Sequence, residues 1–231
     1  MKAMILAAGF GSRMRPLTLN TPKPMLKVGG KPLIQWHIER LVKADIVDII
    51  INHAWLGDQI ENYLGDGKAF GCRIHYSREK EPLETGGGIF KALPMLAESP
   101  EDCFLVVNAD VFCNVNVDKL ITPSIKNGDL GRLLMVENPS WHPDGDFKLN
   151  RQTGYFQVQG GEAYTYSGIG LLSGLLFEGC SLGAFGLAPL LHQAIAMEKL
   201  QGCLHSGYWS DVGTPYRLRT INEQLLAGEL E

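Results

Sequence analysis

Gly9 and Gly11 stand two residues apart in ILAAGFGSR, directly after a short apolar run, and Arg13 follows two residues later. Glycine lets a backbone pass close to a ligand and turn its N–H groups inward, which suits a phosphate. Arg15 and Lys23 add positive charge to the same stretch, while Pro16, Pro22 and Pro24 stiffen the arm that carries them. A stiff arm holds a cation in place at low entropic cost. Two glycines alone are as compatible with a tight turn as with a phosphate cradle, so the neighbouring residues have to decide. A dinucleotide-binding turn requires a third glycine and an acidic residue at the end of the second strand; here position 14 is Met14 and the second strand-like run ends at Asn52. A Walker A loop requires Gly-Lys followed by Ser or Thr, and Gly30-Lys31 is followed by Pro32. Both alternatives are excluded.

The elements that must position this loop read as follows. Lys2–Leu6 is a buried strand. Pro32, well placed at a first helical position, opens a helix to about Ala44. DIVDIIIN is a β-branched run ending at Asn52, GDQIENYL a short helix and CRIHYS a third strand. A second glycine-rich loop around Gly86–Gly88 opens a helix to about Ala97, and CFLVVNAD is a strand ending in a polar triplet. This alternation predicts a parallel sheet covered on both faces. Ligands bind such sheets beyond the carboxyl ends of the strands, where Asn108, Ala109, Asp110 and the first glycine loop all lie. From Leu133 the texture changes: RLLMVEN, DFKLN, YFQVQ and GIGLLSGLLF read as successive, partly antiparallel strands. Ala188–Leu200 reads as a helix, YWSDVGTP as a turn, and Pro215 as the start of the last helix. With no repeat or linker, residues 1–231 are expected to form one α/β domain with a Rossmann-like, mostly parallel central sheet and helices on both faces.

Composition narrows the partners. The chain has 231 residues, is 45% hydrophobic and carries a formal net charge of −4, enough apolar content for a core. No cluster of basic residues marks a nucleic-acid face. Five cysteines without CxxC spacing predict free thiols in a reducing compartment. No apolar run approaches the roughly 18 residues of a membrane span, and no leader precedes the first strand, so a cytoplasmic protein without membrane contact is expected. GCSLG at Gly179–Gly183 fits a GxSxG pattern, but no histidine follows Asp211 to complete a hydrolase order.

LAAGFGSRMRPLTLNTPKPML resembles the signature of the sugar-1-phosphate nucleotidyltransferases, roughly LAAGxGxRxxPLTxxxPKPM. EPLETGGGI, NAD, GDF, YTYSGIG and WSDVGTP follow in that family's order across nearly the whole chain. The resemblance implies a GT-A-like fold and Mg²⁺-dependent transfer of a nucleotide from a nucleoside triphosphate to a sugar 1-phosphate, with pyrophosphate released. It assigns the metal to Asp110 and Asp211, the triphosphate tail to Arg13 and the reacting phosphates to Lys23. Ala8, Gly9, Gly11, Ser12, Glu81 and Gly86 would contact the nucleotide, and Asn108, Gly145 and Glu162 the sugar. Glu81 falls where relatives often carry glutamine. A carboxylate accepts from uracil N3–H, and equally from the guanine edge.

Within the family the likeness favours UTP as donor and N-acetylmuramic acid α-1-phosphate as acceptor, in peptidoglycan recycling, with a monomer or small homo-oligomer. The enzyme alternative is a guanylyl- or thymidylyltransferase acting on mannose or glucose 1-phosphate. A non-catalytic sensor of nucleotide sugars would be expected to lose Arg13, Lys23, Asp110 or Asp211, and all are present. A metal-dependent glycosyltransferase normally carries DxD, whereas Val111-Phe112 follow Asp110. One departure stands out. Many hexose-1-phosphate relatives have Glu-Lys-Pro before the SGI-like strand, with the lysine on the sugar phosphate; this chain reads GGEAYTYSGIG. Lys148 and Arg151 are the nearest cations in sequence to the expected sugar loop.

Overall fold

Along β1 (Lys2–Leu6) successive side chains point to opposite faces, and both faces are buried: Ala3 and Ile5 join one apolar cluster, Met4 a second. A strand covered on both sides needs cover from two layers, and the computed structural model, which describes residues 1–126 and 128–230, supplies them. The chain continues through β2 (Lys27–Val28), β3 (Lys31–Pro32), α1 (Leu33–Lys43), β4 (Asp48–His53), α2 (Gly57–Leu64), β5 (Arg73–Arg78) and α3 (Glu84–Leu96). Next come β6 (Cys103–Asn108), β7 (Val111–Cys113), α4 (Asp118–Ile121), β8 (Gly131–Val136), β9 (Phe147–Leu149), β10 (Phe156–Gln157) and β11 (Glu162–Ser173). The chain closes with α5 (Ala188–Ala196), β12 (Leu200–Leu204), β13 (Trp209–Asp211) and α6 (Pro215–Leu226).

One nine-stranded sheet runs β10-β9-β11-β6-β1-β4-β5, with β8 beside β11 and β12 beside β8. The β6-β1-β4-β5 half is parallel, and β11 turns the sheet antiparallel by pairing with β6, β8 and β9. α1 and α2 cover one face through Ile34, Ile38, Leu41, Ile60 and Leu64. α3 and α5 cover the other through Ile89, Ala92, Leu96, Leu191 and Ile195. Leu6 lies opposite both Asn52 and Asn108 in register, so three parallel strands stop level with one another and form a shelf at the carboxyl edge. A third cluster, Met14, Leu26, Val28, Leu33, Phe112, Val212 and Ile221, pins the proline-rich arm between α1 and α6.

Three expectations are corrected. Gly86–Gly88 do not form a loop; they lie inside α3. Sequence propensity argues against three glycines in a helix, but packing requires them. A Cβ at Gly86 would lie 2.5 Å from Phe185, one at Gly87 2.1 Å from the Gly183 carbonyl oxygen, and one at Gly88 2.8 Å from both Asn52 and Glu79. YWSDVGTP is not only a turn, because Trp209–Asp211 pair antiparallel with β7. The helix read to Leu200 stops at Ala196, and Leu200–Leu204 becomes a strand parallel to β8.

His37 is buried on α1, and burial, with help from the neighbouring Arg40 guanidinium, pulls its pKa down to about 3. The unfolded chain therefore takes up a proton at this position between pH 6.5 and about 3 while the folded chain does not. The stability contributed by neutral His37 is complete above pH 6.5 and is lost as pH falls, with a slope of about 1.4 kcal/mol per pH unit. His37→Leu is expected to flatten the pH dependence of the unfolding free energy by about that slope between roughly pH 4.5 and 6. Equal slopes in the two proteins would show that His37 is protonated in the folded state.

Candidate active site

The level strand ends set the floor. Ala7 N–H donates to Asn52 Oδ1 (2.9 Å), and Ala109 N–H to the Leu6 carbonyl (3.0 Å), so the chain leaves β1 held on both sides. A Cβ at Gly9 would meet nothing within 4 Å, so this residue faces open space. At Gly11 φ is +61°, and a Cβ would lie 2.9 Å from Thr18 Cγ2 and 3.2 Å from Lys23 Cβ. The glycine thus lets the arm fold back and bring Lys23 over the shelf. Thr18 Oγ1 donates to the Gly11 carbonyl at 2.8 Å and fixes the fold-back. The result is a cleft of about 370 Å³ lined by Ala8, Gly9, Gly11, Ser12, Arg13, Lys23, Asn52, Glu79, Thr85, Asn108 and Asp110, among others.

A second cleft of about 350 Å³ shares Arg13, Asn108 and Asp110 with the first and adds Trp141, His142, Asp146, Ser167, Asp211 and Arg217. Its key strands are β7 and β13. Val111 lies opposite Asp211, and Val212 N–H donates to the Asp110 carbonyl at 2.7 Å, so the two carboxylates are carried on adjacent backbone segments. Each is matched by a cation. Lys23 Nζ is 2.6 Å from Asp110 Oδ2, and Arg217 pairs with Asp211 Oδ1. Asn108 is held over Gly168, where φ is +80° and a Cβ would meet the Asn108 side chain at 2.7 Å. Asp146 Oδ2 accepts from Tyr166 N–H at 2.8 Å, and its Oδ1 lies 3.0 Å from His142 Nε2.

Most of the residues expected from sequence converge here. Ala8, Gly9, Gly11, Ser12 and Lys23 line the first cleft, Asp211 the second, and Arg13, Asn108 and Asp110 both. Four others line neither cleft. Glu81 is exposed, and it is Glu79, two residues earlier, that is buried at the cleft floor. Gly86 packs against Phe185 inside α3. Gly145, at φ +64°, lies against Asn138 and serves to aim the adjacent Asp146. Glu162 accepts from the Tyr164 hydroxyl at 2.5 Å and is 4.0 Å from Arg151. Lys148 and Arg151 also line neither cleft.

Sequence reading missed Glu79, Asn52 and Arg217. Asn52 left a trace, being a polar residue ending an otherwise apolar strand. It bridges Ala7 N–H to Glu79, whose Oε1 accepts from Asn52 Nδ2 at 2.7 Å while its Oε2 accepts from Leu83 N–H at 2.9 Å. Arg217 left another, being a cation in the first turn of a helix, where the macrodipole disfavours it.

Residues 2–145 match the model of the nucleotidyl transferase family. The chain belongs to that family. Over 99% of its length and 99% of the relative's, it is 48% identical to N-acetylmuramate alpha-1-phosphate uridylyltransferase of Neisseria meningitidis serogroup B. It is 32% identical to mannose-1-phosphate guanyltransferase beta-A of Xenopus laevis, over 93% of this chain but 62% of that longer one. Among solved structures, one assigned as a glucose-1-phosphate thymidylyltransferase from Bacillus anthracis superposes with a TM-score of 0.84, covering 100% of this chain and 96% of that one. Its 23% identity carries the fold alone.

Proposed function

We propose that the protein transfers UMP from UTP to the phosphate of N-acetylmuramic acid α-1-phosphate, giving the UDP-sugar and pyrophosphate, in peptidoglycan recycling in the cytoplasm. The observation that carries this reading is the 48% identity that spans both whole chains, against 32% over a fraction of a longer guanylyltransferase. An oxygen of the acceptor phosphate attacks the α-phosphorus of UTP, the bond to the β-phosphate breaks on the opposite side, and pyrophosphate leaves with the electron pair. No protein nucleophile is needed, so catalysis is positioning and charge neutralisation.

Asp110 and Asp211 fit a divalent cation. They are hard oxygen donors on neighbouring backbone segments, and both face the second cleft. Mg²⁺ is commonly held by one or two carboxylates with substrate phosphates completing the shell, and this pair would supply the carboxylates. When bound, Mg²⁺ would neutralise charge gathering on the α-phosphate and the leaving pyrophosphate. Lys23, which lines the first cleft and pairs with Asp110, would serve the reacting phosphates, and Arg13, which lines both clefts and has no ion-pair partner among the described residues, the triphosphate tail. Each Glu79 oxygen already accepts one hydrogen bond, and the acceptor capacity left would serve uracil N3–H or, equally, the guanine edge, so the choice of UTP rests on the whole-chain identity. No described helix is long and apolar enough to cross a membrane.

The test is pyrophosphate release with each of four triphosphates against the muramic, glucosamine, glucose and mannose 1-phosphates. UTP with the muramic compound is expected to give the highest kcat/KM. One charge-assisted hydrogen bond to the lactyl carboxylate, which the glucosamine compound lacks, would contribute about 1.5–3 kcal/mol, a preference of roughly 10–150-fold. A glucose or mannose 1-phosphate that matches or beats it removes this acceptor from consideration.

A further inference from the structure

The second cleft presents three carboxylates, Asp110, Asp146 and Asp211. An acceptor that is itself an anion cannot enter such a cleft without a cation to meet it, because like charges in a partly desolvated site repel by several kcal/mol. The cations lining it are few. Arg13 is one, and it also lines the nucleotide cleft; Lys23 lines only that first cleft and pairs with Asp110, and the His142 ring is taken up by Asp146 at 3.0 Å. Lys148 and Arg151 lie outside the lining, with Arg151 near Glu137 and Glu162. Arg217 remains.

We propose that Arg217 is the residue that grips the phosphate of the sugar 1-phosphate, the duty for which this chain carries no lysine ahead of YSGIG. This rests on the reading that the second cleft receives a sugar 1-phosphate. The Arg217 guanidinium carbon lies 4.4 Å over the Trp141 ring, and the side chain is 15% exposed. Its Nη1 donates to the Asp211 carboxylate and, at 3.3 Å, to the Asp211 carbonyl. A guanidinium has five N–H donors in a fixed fork, and Nε and Nη2 have no hydrogen-bond partner among the described residues. The stacked ring and the Asp211 contact hold the fork still while leaving one edge free. That free edge matches two oxygens of a phosphate in bidentate fashion, so that the third oxygen stays available to attack the donor. The residue also sits in the first turn of α6, with its N–H on Thr214 Oγ1. A bound anion there is favoured by the helix end that otherwise opposes the cation.

The experiment compares wild type with Arg217→Gln and Arg217→Lys. It reads the KM for the acceptor, the KM for UTP, the Mg²⁺ concentration giving half-maximal rate, and, by calorimetry without added metal, the Kd for the muramic and glucosamine 1-phosphates. Arg217→Gln is expected to weaken both sugar phosphates about 10–150-fold, in KM and in metal-free Kd alike. UTP and Mg²⁺ dependence should move less than twofold, and Arg217→Lys should recover part of the loss. Unchanged acceptor affinity overturns the proposal. So does a raised Mg²⁺ requirement with acceptor affinity intact, which would reduce Arg217 to a brace for Asp211. A loss confined to the muramic compound also overturns it, because the contact would then be to the lactyl carboxylate. If wild type prefers a different sugar 1-phosphate, the acceptor reading falls, and the Arg217 comparison is made with that sugar under the same criteria.

Discussion

Asp211→Asn is expected to lower the Mg²⁺-dependent rate by about 10²–10³-fold and to leave the fold in place. That is the scale on which losing one charge-stabilising contact of a transition state reads out. The amide keeps the shape of the side chain and one acceptor oxygen but removes the negative charge that, with Asp110, would attract the ion. The backbone of Asp211 stays in register with Val111, and Val212 N–H stays on the Asp110 carbonyl, so circular dichroism and the thermal midpoint should change little. The measurement is initial rate against Mg²⁺ concentration. Near-wild-type turnover at limiting Mg²⁺ would remove Asp211 from the metal site.

The second large effect is expected at Lys23. It begins a short turn between Pro22 and Pro24, where the arm's backbone needs no help from its side chain. Its side chain is 11% exposed and touches Asp110. Lys23→Ala should lower kcat by about 10²-fold, and by more than it raises the KM for UTP, because a contact made chiefly in the transition state shows in kcat while uniform binding shows in KM. Saturating Mg²⁺ keeps the freed Asp110 carboxylate from confusing the comparison. A change in KM alone would make Lys23 a ground-state ligand of the triphosphate.

Lys23 and Asp211 were expected at the site from the family resemblance; how much of the frame around them is legible in a string of letters follows from the range of the forces involved. β1, α2 and the start of α6 were readable because their signals are local: a short continuous apolar run, a short amphipathic run, and Thr214-Pro215 as cap and first residue. The first loop was readable because glycine spacing and proline stiffening act over a few residues. Glu81 was expected at the base, and it is Glu79 that lines the first cleft. Two carboxylates two residues apart look alike in sequence, and only the Asn52 and Leu83 contacts choose between them. Gly145 and Glu162 were expected at the sugar from the family resemblance, but side-chain direction is set by packing. Arg217 escaped notice because its partners, Asp211 and Trp141, are brought together by strand pairing and a loop whose course no local pattern encodes.

The three glycines within α3 set a bound on how far this protein can be made more robust. In isolation each forgoes about 1 kcal/mol of helix propensity relative to alanine, so the helix is a poor one by composition, and replacing its glycines is the ordinary route to a tougher variant. That route is closed here. New methyl groups at Gly87 and Gly88 would strike the Gly183 backbone and the Asn52–Glu79 pair that floors the nucleotide cleft. A lineage adapting to heat must therefore find its gains in other elements, and α3 stays thin and weakly self-supporting for as long as the cleft keeps its width.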